Sequence, residues 1–252
     1  MAEIKTKEEV EKIRAAGKIL AKVLKEVSIA AEEGVSGKDL DKLAHDLIIK
    51  AGAEPAFLGY QPGGAARPFP ATLCLSINDC IVHGVPGSRR LKQGDVVKLD
   101  LGVRYKGYCA DAAVTVVIDP GSDEARKLIK ATEDALEEAI KVARPGNTFG
   151  DIGYAISKTA SKRGFKVLKE LTGHGIGKNV HEEPTVFNEG EPGRGRMIKA
   201  GMVLAIEPMF AIGTREIKQL HDDGYATVDG SLSAHSEHTI FVGEDETEIL
   251  TL

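Results

Sequence analysis

The sequence predicts an α+β protein in which a unit of helix, helix and strands occurs twice. Three observations predict it. Helical periodicity and strand-like stretches fall in separate blocks instead of alternating one for one. Gly34-Val35-Ser36-Gly37-Lys38-Asp39-Leu40 matches Gly146-Asn147-Thr148-Phe149-Gly150-Asp151-Ile152, each entering a helix. Leu91-Lys92-Gln93-Gly94-Asp95-Val96, leading to Leu99-Asp100, matches Ile198-Lys199-Ala200-Gly201-Met202-Val203, leading to Ile206-Glu207. Asp111 with Val114 matches Glu237 with Ile240 more loosely. Stereotyped helix caps alone would produce the first match. The glycine-to-carboxylate match lies in strands, where capping cannot produce it, so a duplication with halves of about residues 6–119 and 122–250 is favoured.

The first helix is expected over residues 6–28. Thr6 and Glu9 fit a capping box, and Val10, Ile13, Gly17, Leu20, Leu24 and Val27 recur at spacings of three and four. A second helix starts near Ser36, carries Leu40, Leu43, Leu47 and Ile48, and stops at Gly52. A Pro- and Gly-rich loop follows over residues 55–70. Residues 71–77 and 96–118 read as β, the latter folded by a turn near Tyr105-Lys106-Gly107. A third helix over 123–143 is closed by Pro145-Gly146, and a fourth over 148–163 has Gly164 behind it. The remainder alternates short β segments with Gly-rich turns. No linker divides the chain, so residues 1–252 are expected to form one domain.

The 252 residues carry 33 Lys and Arg against 38 Asp and Glu, a net charge of -5. This excludes a general nucleic-acid binder, whose phosphate contacts need a clustered basic surface. No apolar run approaches the roughly 20 residues of a membrane span, and the first residues lack a signal-peptide core. Cys74, Cys80 and Cys109 are odd in number and without C-x-x-C spacing, so they read as reduced thiols of a cytoplasmic protein.

The predicted hairpin holds a local conflict. Its expected register sets Asp100 directly opposite Asp111, with Cβ atoms roughly 5 Å apart. Asp is a poor strand former, and opposed like charges are destabilising. A shared proton or a cation would relieve this. If Glu207 and Glu237 form the equivalent pair, pseudo-symmetry brings four carboxylates to one centre, a charge that two divalent ions would neutralise. Taken singly, each is more simply a surface acid at a strand end.

Histidines cluster near glycines. Gly173-His174-Gly175-Ile176-Gly177 leads to Val180-His181-Glu182-Glu183-Pro184, and three glycines in five residues exclude a stable helix. The glycines suggest close backbone approach to an ion or substrate. Phosphate-loop, dinucleotide and H-E-x-x-H patterns all fail here. His83 lies in Val82-His83-Gly84-Val85-Pro86. Single histidines of this kind are usually structural, and His45, His221, His235 and His238 are assigned no role. The four candidate carboxylates shift the balance for His83, His174 and His181.

Taken in order, Ser76-Ile77-Asn78, Val82-His83-Gly84-Val85-Pro86, Leu99-Asp100, Asp111, Gly173-His174-Gly175-Ile176-Gly177, His181-Glu182-Glu183-Pro184, Ile206-Glu207-Pro208 and Glu237-His238-Thr239 resemble the type I methionine aminopeptidase family. The resemblance spans nearly the whole chain. It implies the pita-bread fold, a pseudo-two-fold repeat around a central curved antiparallel sheet. It further implies two divalent metals (Co, Mn, Fe or Zn) held by Asp100, Asp111, His174, Glu207 and Glu237, with Asp111 and Glu237 bridging. The implied reaction is hydrolysis that removes an N-terminal methionine. Glu207 would also accept a proton, His181 would donate to the substrate carbonyl or oxyanion, and His83 would contact the scissile amide. Tyr60, Cys74 and Tyr225 would line the methionine pocket, which should be apolar and polarizable. The implied partners are peptides and nascent polypeptides, with transient contact at the ribosome surface, although no N-terminal zinc or Pro-rich extension supports that contact. A monomer is expected.

Some positions depart from the pattern. Val180 stands where bacterial relatives often carry an aromatic, Tyr225 where Trp is common, and Gly63 where a second Tyr is frequent. Lys98 replaces a frequent Asn and His235 a frequent Gln. These changes bear on pocket shape and rate. Prolidases and Xaa-Pro aminopeptidases share the ligands but usually add an N-terminal domain. Type II methionine aminopeptidases insert a helical segment between the last two ligands, where this chain has only 29 residues. Non-catalytic proteins of the same fold lose ligands, and here all five are kept.

Overall fold

The computed structural model describes residues 4–61 and 67–252. Helix α1 spans Lys7–Ala30, and the expected capping box is formed: Glu9 N donates to Thr6 Oγ1 and Thr6 N donates to the Glu9 carboxylate. Its stripe of Val10, Ile13, Leu20, Leu24 and Val27 is buried. Gly17 belongs to that stripe for a steric reason, since a Cβ there would lie 2.1 Å from the Leu250 carbonyl oxygen. Helix α2 (Gly37–Lys50) is capped by Ser36, α3 (Asp123–Val142) by Ser122, and α4 (Phe149–Arg163) by Thr148. Gly164, at φ 83°, ends α4 in the left-handed conformation that a Cβ disfavours.

Seven strands carry the central sheet: β1 (Leu73–Ile77), β2 (Val96–Tyr105), β3 (Tyr108–Val117), β4 (Thr172–Gly175), β5 (Glu182–Phe187), β6 (Val203–Ile206) and β7 (Glu237–Val242). The spatial order is β2-β3-β7-β6-β4-β5, with β1 and Glu54–Pro55 on the outer edge of β2 and Thr247–Ile249 beside β7. The pairs among these strands are antiparallel. The halves meet where β3 joins β7, with Glu237 opposite Ala113 and His238 opposite Ala112.

Alternation along the strands separates two faces. Leu99, Leu101 and Val103 on β2 pack with α1 and α2, while Leu204, Ile206, Ile240 and Val242 on β6 and β7 pack with α3 and α4. Each fully buried aliphatic side chain contributes roughly 1.5–3 kcal/mol through burial. The opposite face carries Asp100, Asp111, Ala205 and Glu237.

The repeat seen in the sequence appears in the backbone. Ser36 bridges Arg90 as Thr148 bridges Met197. Leu91 N donates to Val35 O at 2.9 Å, and Ile198 N donates to Asn147 O at 2.8 Å. Each second-helix entry is thus tied to the segment that leads into a carboxylate strand.

One expectation is corrected. Asp100 pairs with Ala113 and Asp111 with Gly102, not with each other. The turn is Lys106-Gly107, with φ of 50° and 79°, a conformation whose twist suits a two-residue hairpin. The register therefore moves by two residues. Such a shift keeps every side chain on its predicted face and avoids opposing two acids directly.

Candidate active site

The acids reach one centre by different routes. Asp100 and Asp111 stand within long regular strands. Glu207 follows β6 and Glu237 begins β7, so both leave strand ends, where the longer Glu side chain supplies reach. Oxygens of Asp100, Asp111 and Glu237 lie within 4.8 Å of one another. Ligand atoms of His174, Glu207 and Glu237 meet the same limit. Glu237 belongs to both groups, and Asp111 also stands with His174 and His181.

His174 sits in β4 opposite Ala205. Its flanking glycines serve backbone packing: a Cβ at Gly173 would be 2.3 Å from Ala205 O, and one at Gly175 would be 2.2 Å from Glu183 O. The close approach expected there is therefore to neighbouring strands. His174 Nδ1 is 3.0 Å from Gly175 O, which leaves Nε2 as the free nitrogen. Nε2 points into the cluster, 3.4 Å from Glu207 Oε1 and 3.8 Å from Asp111 Oδ2.

These groups fit a cation. Asp100 Oδ1, Asp111 Oδ1 and Glu237 Oε1 are buried without a hydrogen-bond partner. Burial raises the pKa of all four carboxyls, and repulsion from neighbouring acids adds to the rise at Asp111, Glu207 and Glu237. Burial lowers the His174 pKa to about 4, keeping its nitrogen unprotonated at neutral pH. One imidazole with carboxylate oxygens suits Mn, Fe, Co or Zn.

Beside the cluster lies a cavity of about 1080 Å³. Tyr60, Cys74, His83, His181 and Tyr225 all line it, joined by Phe57, Phe69 and Met209. Tyr60 Oη is 2.9 Å from His181 Nδ1. The rings of His174 and His181 meet edge-on at 4.4 Å, and those of His83 and Tyr225 at 5.9 Å. His83 and His181 each expose surface to solvent, with neighbouring rings packed against one side. Burial lowers the pKa of His83, and it lowers that of His181 to about 3 with help from His174 and His83. His83 holds φ 59°, a left-handed conformation that is strained for a residue with a Cβ and aims its ring at the cavity. Cys74 pairs with Asp100 across β1 and β2, and burial raises its thiol pKa well above the ordinary value.

Of the departures, Tyr225 reaches the cavity, whereas Val180 is buried in the core with α1 and α2. Gly63 lies outside the described residues. Lys98 is fully buried, and its ammonium donates to Asn78 O at 2.7 Å and Ser233 O at 3.3 Å. His235, assigned no role from sequence, proves to be buried beneath the cluster, with Nε2 3.6 Å from Glu207 Oε2 and 3.7 Å from Glu237 Oε2. The available signal was its position two residues before Glu237, which strand alternation places on the same face.

A profile of metallopeptidase family M24 matches residues 11–244, and the chain belongs to that family. Membership implies a divalent metal, for which this cluster is the candidate site. The particular relatives are methionine aminopeptidases of type I. The chain is 46% identical to a methionine aminopeptidase from Aquifex aeolicus over 99% of its own length and 98% of that protein's. The crystal structure of a methionine aminopeptidase from Thermotoga maritima matches with a TM-score of 0.95 at 39% identity, covering 100% of this chain and 99% of that one. A prolidase from Pyrococcus furiosus shares the fold with a TM-score of 0.80 at 25% identity, but this chain spans only 65% of it.

Proposed function

We propose that this chain removes the N-terminal methionine of peptides and nascent polypeptides, with Asp100, Asp111, His174, Glu207 and Glu237 holding two divalent metals. The observation that supports this reading best is the convergence of these five residues, from both halves, beside a cavity lined by two neutral histidines. The two halves then act as one catalytic unit. A divalent metal bound there acidifies water and polarises the substrate carbonyl.

The chain's own residues supply the rest. Asp111 and Glu237, which stand together with Asp100 and lie near His174, would help hold the metals at the meeting of the two halves. Glu207 accepts the proton lost by the attacking water. The Tyr60 hydroxyl donates to His181 Nδ1, so His181 carries its proton on Nε2 and offers it to the carbonyl oxygen as charge develops. His83 contacts the scissile amide and assists the departing amine. Cys74 and Tyr225, with Phe57, Phe69 and Met209, surround the methionine side chain, where thioether sulfur meets aromatic edges.

The test is metal removal and return. Chelator-stripped protein should not cleave Met-Ala-Ser and should regain turnover with Mn²⁺ or Co²⁺. Full activity in excess chelator would refute the metal mechanism, and faster cleavage of Gly-Pro than of Met-Ala would favour a prolidase.

A further inference from the structure

We infer that His235 is a positioning residue whose Nε2–H holds Glu207 and Glu237 in place for the metals. This inference rests on the metal site proposed above and assigns a role to a residue outside it.

The backbone delivers His235 to that point. Strand Ser233–His235 pairs antiparallel with Met209–Ala211, with His235 opposite Met209. Ser236 N then donates to Pro208 O at 3.3 Å. Glu207 and Glu237 thus lie at the ends of one paired segment, and His235 projects between them from below. The segment is lashed to the strands that bear the two aspartates. Thr115 Oγ1 donates to His235 O at 2.6 Å and accepts from His235 N at 3.0 Å, while Lys98 Nζ reaches Ser233 O.

The imidazole is 1% exposed, and neither ring nitrogen has a hydrogen-bond partner. A buried polar ring without partners is unfavourable unless something engages it. What its Nε2 faces is one carboxylate oxygen on each of the two glutamates, at nearly equal distances. A donor on Nε2 restrains two side chains that otherwise leave strand ends with several free torsions. Outer partners of metal ligands fix ligand orientation in this way.

The experiment compares wild type, His235→Phe and His235→Gln by isothermal titration with Co²⁺ and by the visible absorption of the Co²⁺ complexes. Phe fills the space without a donor, and Gln restores one. His235→Phe should bind Co²⁺ about 10–100-fold more weakly with altered bands, and His235→Gln should recover most of the affinity. Variants that both match wild type would overturn the inference, as would equal weakening of both with unchanged bands, which marks packing alone. Should His235→Phe fail to fold, long-range ¹H–¹⁵N spectra of the metal-loaded wild type decide, since a proton on Nδ1 instead of Nε2 overturns it. If wild type bound no Co²⁺, the metal site itself would fall, an outcome distinct from variants that bind normally.

Discussion

The two halves of the molecule hold their acids in different ways. Asp100 and Asp111 sit inside a hairpin of two ten-residue strands closed by Lys106-Gly107, so ladder hydrogen bonds fix both Cα positions. Glu207 and Glu237 stand at the ends of strands of four and six residues. Their positions depend on the long-range pairing of His238 with Ile206 and of Glu237 with Ala113. The first half thus positions short side chains with local structure, and the second positions longer ones with tertiary structure. A duplicated fold can therefore keep one charge pattern while relying on different supports.

Three changes probe this contrast. The largest effect should come from the second half: Glu207→Ala should lower kcat by about 10³-fold or more with the fold retained, as checked by peptide hydrolysis and circular dichroism. Turnover near wild type would remove Glu207 from the site. The next probe is Lys98, which reaches from the first half under the second. Burial lowers its pKa to about 7, below its unfolded value near 10.5, so between those values the unfolded chain binds more protons. Stability carried by this group therefore rises with pH, by at most about 1.4 kcal/mol per unit. Wild type should gain on Lys98→Met in denaturant titrations as pH goes from 7 to 10, and a constant gap would show that the ammonium keeps an ordinary pKa. The smallest effect should come from the turn of the first half. Gly107→Ala, at φ 79°, should destabilise by about 1 kcal/mol and leave Co²⁺ affinity unchanged, because the ladder still fixes Asp100 and Asp111. A matching loss of metal affinity would mean that the hairpin is no more robust than the second half.

The contrast also explains what could be read in advance. Caps and amphipathic stripes gave the four helices to within two residues at each end, because Thr6, Ser36 and Thr148 act within one helical turn. The hairpin register was misread by two, since Tyr105-Lys106 and Lys106-Gly107 are both plausible turns. The error did no harm to the site, because a shift of two preserves the face on which Asp100 and Asp111 lie. His235 was passed over because nothing within a few residues marks it: its neighbours Glu207 and Glu237 are brought to it by pairing across the sheet.

By itself, the sequence determined the duplication, the helices and the residue types that could bind metal, because these follow from spacing, capping and side-chain chemistry over short distances. Only the tertiary structure decided that four acids share one centre, that His174 presents Nε2 to them and that His235 lies beneath. Those facts depend on which strands become neighbours. Long-range pairing and burial set that choice, and burial is also what makes unpartnered carboxylate oxygens so unfavourable without a cation.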